Sequence, residues 1–404
     1  MLREGDHRPI TQIALAHPTE LPLYEKVARF RRHPTEGPAI ALLSGGTATR
    51  VLSQTLIHYS HNTAHILPVF DDGGSSRVLR HHFGMPPPGD LRNRLMAISD
   101  MSRRGNPEVN RLFRTRLPVD ASPVELEAEL MSYLSDHHPQ MANIEERYRR
   151  IISKHLERFA TARPKDFDLR GGNIGNFVIT GAYLAVGDLE SVLFELSALA
   201  AARGAVYPVC RGANYHLRAE YADGSTVVGQ SRITTGTHPP LRSLSIVEPD
   251  GDDWREATPE LNPLAARAIN KSALITYAMG SFYTSLVSSL LVGGVGEVIR
   301  QSKRPKILVA NLRRDQETPT MTVSQMISEL CRALRRSDSH PGTVNDYIQY
   351  VLVSDHGPRD NRGRVPVDLE AIRDLGVVPI VLPLENDEGD HNPHLVAAVL
   401  LSLC

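Results

Sequence analysis

Six consecutive residues, Asp71-Asp72-Gly73-Gly74-Ser75-Ser76, put two carboxylates, two glycines and two hydroxyls directly behind an apolar segment, His65 to Phe70. Adjacent carboxylates can hold a divalent cation such as Mg2+ or take a proton from a hydroxyl, and Asp71 and Asp72 are candidates for both roles. Gly73 and Gly74 let the main chain turn tightly against a ligand, while Ser75 and Ser76 offer hydroxyls or cap the next helix. HILPVF reads as a buried strand of a parallel sheet. The two acids therefore emerge at its carboxyl end, where open α/β sheets take their ligands.

Other polar turns stand before helices in the same way. Gly45-Gly46-Thr47 follows the strand-like AIALLS and precedes a helical stretch from Arg50 to Ser60, so its amides can attract phosphate. The run is neither GxGxxG nor GxxxxGK[ST], which speaks against NAD and against P-loop hydrolysis. Gly280-Ser281-Phe282-Tyr283-Thr284-Ser285 follows the strand ITYAM and opens another helix. Here Gly280, Ser281, Tyr283, Thr284 and Ser285 bring hydroxyls and amides to a second anion-binding start, unless Ser281 serves only as an N-cap. Pro86-Pro87-Pro88-Gly89-Asp90 is expected to place Asp90 as N-cap of a helix beginning Leu91-Arg92-Asn93, with Asp90 and Asn93 as ligand candidates. Asn173 and Asn176, in the turn Gly171 to Asn176, could read a base or a sugar or bond their own backbone. Asn311 closes the strand candidate Lys306 to Asn311 and completes the set.

Metal-binding histidines are not expected. His58, His61 and His65 are spaced three and four apart, but His65 falls in a strand, so the three share no helical face and no zinc is predicted. Cys210, Cys331 and Cys404 are too far apart in sequence for a CxxC knuckle, and their scarcity fits a reducing cytoplasm.

The elements that must position these turns follow from the hydrophobic pattern. A chain of 404 residues with 41% hydrophobic content can bury a large core, and a net charge of −1 argues against nucleic acid as the main partner. No apolar run reaches the length of a membrane span, and the N-terminus lacks a signal-peptide pattern, so a cytoplasmic location is expected. Residues 1–37 read as a polar extension with one short helix near Leu23 to Phe30. The rest, 38–404, reads as one domain with a helical insertion at about 101–165. Ser122-Pro123-Val124-Glu125 opens one insertion helix as a capping box. Ile144, Tyr148, Ile151, Ile152, Leu156 and Phe159 mark another, whose basic face of Arg147, Arg149, Arg150, Lys154 and Arg158 reads as solvated surface.

Further strands are expected at Ala205 to Cys210, Ala273 to Ala278, Lys306 to Asn311, Tyr350 to Ser354 and Val377 to Leu382. Asp223-Gly224, between two alternating segments, signals a β-hairpin elaboration. Asn392-Pro393 reads as the start of a last helix. Alternating strands and helices predict an α/β fold, a three-layer α/β/α Rossmann-like sandwich with a mainly parallel sheet.

The combination of SGGT, DDGGSS, PPGD with Arg92 and Asn93, GSxYTSxxxxLLVxG at 280–294 and HxPHL near the end resembles the 2-phospho-L-lactate transferase (CofD) superfamily. Within it, the motifs look closest to the YvcK-type gluconeogenesis factors, over most of residues 39–400. Two positions depart from the family pattern: Ala48 follows Thr47, and Arg77 follows DDGGSS, where the family commonly has glycine. The resemblance implies a Rossmann-like fold and a ligand carrying a nucleotide diphosphate. It also implies one of two roles: an Mg2+-dependent transferase, or a UDP-sugar-binding regulator of carbon metabolism or cell-wall synthesis. The partners expected are a nucleotide-diphosphate-linked small molecule and at most a second copy in a homodimer, with no nucleic acid and no membrane.

Overall fold

The computed structural model describes residues 20–102, 104–135, 137–355 and 363–404. Residues 1–19 of the expected N-terminal extension lie outside the described residues.

Seven strands form one parallel sheet: β1 (Ile40–Leu43), β2 (Thr63–Leu67), β3 (Ala205–Pro208), β8 (Leu274–Tyr277), β9 (Lys306–Val309), β10 (Tyr350–Ser354) and β11 (Val378–Leu382). Four others, β4 (His216–Tyr221), β5 (Thr226–Val228), β6 (Leu241–Asp250) and β7 (Asp253–Glu256), make an antiparallel sheet in the order β5-β4-β6-β7. The parallel sheet runs β11-β10-β9-β8-β1-β2-β3. The chain thus starts at the centre, winds outward to β3, and returns to the other side of β1. Leu43 of β1 lies beside Tyr277 of β8, so the turns after these two strands face each other where the winding reverses.

Strand alternation assigns the two faces. Ala41 and Leu43 join one buried cluster, while Ile40 and Leu42 join the other. Helices Tyr24–Arg32, Arg50–Leu56 and Pro393–Leu403 carry residues of the second cluster, and helices Gly89–Ala97, Ile174–Val186, Pro263–Lys271 and Val323–Arg336 carry residues of the first. Helices therefore cover both faces in a three-layer α/β/α sandwich. Asn392 caps the last helix by accepting from the His394 and Leu395 amides, as its sequence predicts.

The insertion is helical: Pro107–Arg114, Pro123–Ser132, Pro139–Ala142 and Glu146–Ala162. Its capping box forms, with the Ser122 amide donating to Glu125 Oε2 at 2.8 Å and the Glu125 amide to Ser122 Oγ at 3.3 Å. Phe159 stacks on Phe177 with ring centroids 4.2 Å apart, which fastens the insertion to helix Ile174–Val186.

Two expectations need adjustment. The strand expected to reach Phe70 ends at Leu67, because Pro68 has no N–H to extend the ladder, although Val69 and Phe70 remain buried. The hairpin at Asp223-Gly224 exists, but it belongs to a four-stranded sheet whose longest strand, β6, was not anticipated. Its segment LRSLSIVEPD does not alternate, since Leu244 to Val247 are buried in an unbroken run, and it ends at Asp250 before a turn around Gly251.

Candidate functional site at the sheet switch point

The glycine turn Ser44 to Thr49 leaves β1 and is held from inside by Arg94, whose side chain is fully buried. Its guanidinium donates to the Thr49 carbonyl at 3.0 Å, to the Gly45 carbonyl at 2.6 Å and to the hydroxyls of Ser53 and Thr49. Burial lowers its pKa to about 10. Close approach explains the glycines themselves: a Cβ at Gly46 would stand 1.9 Å from Asp90 Oδ1, and one at Gly45 would stand 2.4 Å from Ser285 Oγ. Thr47 and Ala48 stay exposed on the outer side of the turn.

Asp90 is not the N-cap that its sequence suggests. Pro88 adopts helical angles, so the helix runs Gly89–Ala97 and Asp90 sits in its first turn without capping it. Its carboxyl instead takes the Gly46 amide and is raised to about 6, first by burial and then by the neighbouring Asp71, against the pull of Arg94 and Arg92. Asp71 comes from the other side. Its Oδ1 accepts from the Gly73 amide at 3.0 Å, and its Oδ2 would lie 3.0 Å from a Cβ at Gly89.

The adjacent acids diverge. Asp72 Oδ1 accepts from the Ser231 amide at 2.6 Å, tying DDGGSS to the short helix Gln230–Thr235 beside the antiparallel sheet. Asp72 also lines a cavity of about 330 Å3 with Arg77, Arg80, His81 and His216. The partner that the fold gives Asp71 is therefore Asp90, nineteen residues further along the chain and beside it in space, and not Asp72. Arg80 locks this corner by donating to the Asp71 carbonyl at 3.1 Å and the Tyr215 carbonyl at 2.7 Å.

Gly73 and Gly74 start the helix Gly74–Phe83 with no side-chain cap. Ser76 is buried beside Gly89, and Ser75 Oγ accepts from Asn176 Nδ2 at 3.0 Å. Asn173 caps helix Ile174–Val186, its Oδ1 accepting the Asn176 amide at 2.9 Å, and its Nδ2 reaches the Thr115 carbonyl at 2.9 Å. Asn93 accepts from Arg92 at 2.7 Å. Asn173 and Asn93 thus order the walls of the site.

Across the switch point, Gly280 and Asn311 exchange two hydrogen bonds of 3.0 and 2.8 Å, joining the ends of β8 and β9. The following turn is a π-helical stretch, Phe282–Val287, and Ser281 makes no side-chain cap. Its free amides are already occupied. Glu317 Oε2 accepts from Tyr283 N at 2.8 Å and Thr284 N at 3.0 Å, and its Oε1 accepts from the Thr284 hydroxyl. Burial raises the Glu317 carboxyl despite these donors. Glu317 was not anticipated, because nothing local marks a loop acid whose partners are 33 and 34 residues away.

A cleft of about 570 Å3 opens between the two turns, lined by Ala48, Gly280, Ser281, Asn311, Arg313, Arg314, His391 and Pro393. Arg313 and Arg314 were also not singled out by sequence. Their only local signal is their position just past β9. Among the described residues, no group of three or more His, Cys, Asp or Glu is placed to share a metal ion, and no helix is long and apolar enough to cross a membrane.

Comparison with known proteins agrees with this architecture. The family described as 2-phospho-L-lactate transferase CofD matches residues 40–384. A putative gluconeogenesis factor of Nostoc sp. is 30% identical over 99% of this chain and 73% of its own length. The gluconeogenesis factor of Bacillus subtilis is 28% identical over 91% of this chain and 98% of its own. In fold, the chain is similar to a member of the upf0052 family from Bacillus halodurans, with a TM-score of 0.67 at 23% identity, covering 91% of this chain and 99% of that one. With motifs, strand order and similarity in accord, the chain belongs to the CofD family and stands beside its gluconeogenesis factors.

Proposed function

We propose that the protein binds a nucleotide-diphosphate-linked ligand, an NDP-sugar or an NDP-linked donor, in the switch-point cleft. The observation that carries the reading is the juxtaposition of the glycine turn, which reaches the cleft through Ala48, with the Gly280-Ser281 turn on its other side, and the Asp71 and Asp90 carboxyls beside the glycine turn. The hydroxyls of the exposed Thr47 and the half-buried Ser281 would take phosphate oxygens, and Arg313 and Arg314 would offset the remaining charge. Asp71 and Asp90 suit a hard divalent cation: both are oxygen donors, and their mutual repulsion raises Asp90 as long as nothing positive stands between them. When bound there, Mg2+ would supply charge neutralisation for the diphosphate.

As an enzyme, the protein would transfer the phosphoryl-linked group to an acceptor hydroxyl. The acceptor oxygen bonds to the distal phosphorus, the bridging P–O bond breaks, and the nucleoside monophosphate leaves. Asp72, whose Oδ2 is not engaged by Ser231, would take the acceptor proton. The similarity to gluconeogenesis factors over nearly the whole chain favours a second reading, binding without transfer, in which the same ligand regulates metabolism. Incubation with UDP-, GDP- and ADP-linked donors and candidate acceptors separates the two. Release of nucleoside monophosphate that is lost in Asp72→Asn supports transfer, and tight binding with no release supports the regulator.

A further inference from the structure

The cavity of about 330 Å3 beside Asp72 shares no lining residue with the nucleotide cleft. One wall is a helix face. On helix Gly74–Phe83, Arg77 stands three residues before Arg80 and four before His81, so the three side chains share one side. The other wall is the loop before β4, with Asn214, and His216 at the start of that strand. Arg80, only 8% exposed, ties the walls together by donating to the carbonyls of Asp71 at 3.1 Å, Ala213 at 2.9 Å and Tyr215 at 2.7 Å. A guanidinium only donates, so His216 Nε2, 3.3 Å from Arg80, is the acceptor, and the neutral ring carries its proton on Nδ1.

The cavity presents unused groups of two kinds. Asp72 Oδ1 is taken by the Ser231 amide, and Oδ2 has no hydrogen-bond partner among the described residues. Gly229, at a φ of +109°, makes room for that oxygen, since a Cβ there would stand 2.5 Å from it. On the donor side, Arg77, His81 and Asn214 are exposed, so a ligand can reach them. Among the described residues, no hydrogen bond or ion pair engages the side chains of Arg77 and Asn214, and His81 has only an edge contact with His82. The lining residues carry two guanidiniums against one carboxylate, which leaves the walls positive.

We propose that this cavity binds a polyol phosphomonoester, with the phosphate on Arg77, His81 and Asn214 and a hydroxyl donating to Asp72 Oδ2. Three donors on two segments can each meet a different phosphoryl oxygen, whereas a carboxylate has only two. The volume stands at the low end of the roughly 300–1,000 Å3 of ligand pockets, which suits one sugar or a smaller polyol and not a dinucleotide. The hydroxyl on Asp72 would be the acceptor in the transfer described above; that role rests on the transfer reading, and the binding does not.

Calorimetry with the full chain tests the binding, using inorganic phosphate, glycerol 3-phosphate and glucose 6-phosphate as probes, with and without UDP-glucose. Arg77→Gln should weaken all three at least about tenfold, and Asn214→Ala on the other wall should weaken them in the same direction. Arg147→Gln, which removes an insertion arginine paired with Glu145, should leave them unchanged. Asp72→Asn should lower the affinity of glucose 6-phosphate relative to inorganic phosphate by about three- to tenfold, because it weakens only the hydroxyl end. Thermal melts confirm that each variant folds. Probes that fail to bind the native chain in both conditions overturn the proposal, as does an equal loss with Arg147→Gln. Equal weakening of UDP-glucose in Arg77→Gln also overturns it, by assigning the cavity to the nucleotide ligand. Probes that bind through Arg77 to a chain on which UDP-, GDP- and ADP-linked ligands are silent leave this site standing while the nucleotide reading fails.

Discussion

Single side chains carry the electrostatics of this site, and Asp90 is the most telling. Its folded pKa, raised to about 6 by burial and Asp71, means that the ionised form is disfavoured in the ligand-free fold. The penalty is absent below the ordinary carboxylate value and complete above pH 6. Asp90→Asn should therefore stabilise the ligand-free protein at pH 7.5 by about 1–2 kcal/mol in urea unfolding, while weakening any Mg2+-dependent ligand. A variant that loses stability and binds normally would make the carboxylate structural. His216 has the opposite sign. Burial and Arg80, which approaches its Nε2 at 3.3 Å, push it down to about 4, so the fold holds the ring neutral. The stability this gives is complete above pH 6.5 and is lost as pH falls toward 4. His216→Gln should flatten the stability profile across that window, by about 1–2 kcal/mol once solvent screening of the half-buried ring is allowed for.

At the scale of elements, the turns depend on partners from other parts of the chain. Arg94 holds the glycine turn through several bonds to backbone and hydroxyls. Arg94→Met fills similar volume but leaves those acceptors bare, and should cost about 2–4 kcal/mol together with ligand affinity. Thr284→Val should cost about 1–3 kcal/mol, because it removes a buried hydroxyl that donates to Glu317. Ser281→Ala caps nothing and should change stability by less than about 0.5 kcal/mol, so any loss of binding in that variant reports on the ligand. The difference between these two hydroxyls was not legible in the sequence. The sequence did show the strand, glycine turn and helix unit, the Ser122 and Asn392 caps and the helical insertion, because periodicity and capping are local. Arg94 and Glu317 were hidden because their partners lie far away in the chain, and the pairing of Asp71 with Asp90 because it depends on how helix Gly74–Phe83 and the proline turn after it fold back.

Over the whole molecule, the strand order explains why the motifs converge. Because β1 is central and the chain returns to β8 beside it, SGGT and GSFYTS meet at one crevice, and DDGGSS and PPGD flank it from the β2 side. Asn176 and the insertion loop support them from behind. A nucleotide ligand at 100 times its Kd would add about 2.7 kcal/mol of stability, a small melting shift for a chain of this length, so direct calorimetry is the more sensitive measurement. The decisive titration sets UDP-, GDP- and ADP-linked ligands, with Mg2+, against the native chain and Gly46→Ala, whose Cβ would collide with the Asp90 carboxylate. The account predicts saturable binding of at least one ligand and at least about a tenfold loss in the variant. Silence from every ligand, or equal affinity in both proteins, would contradict it.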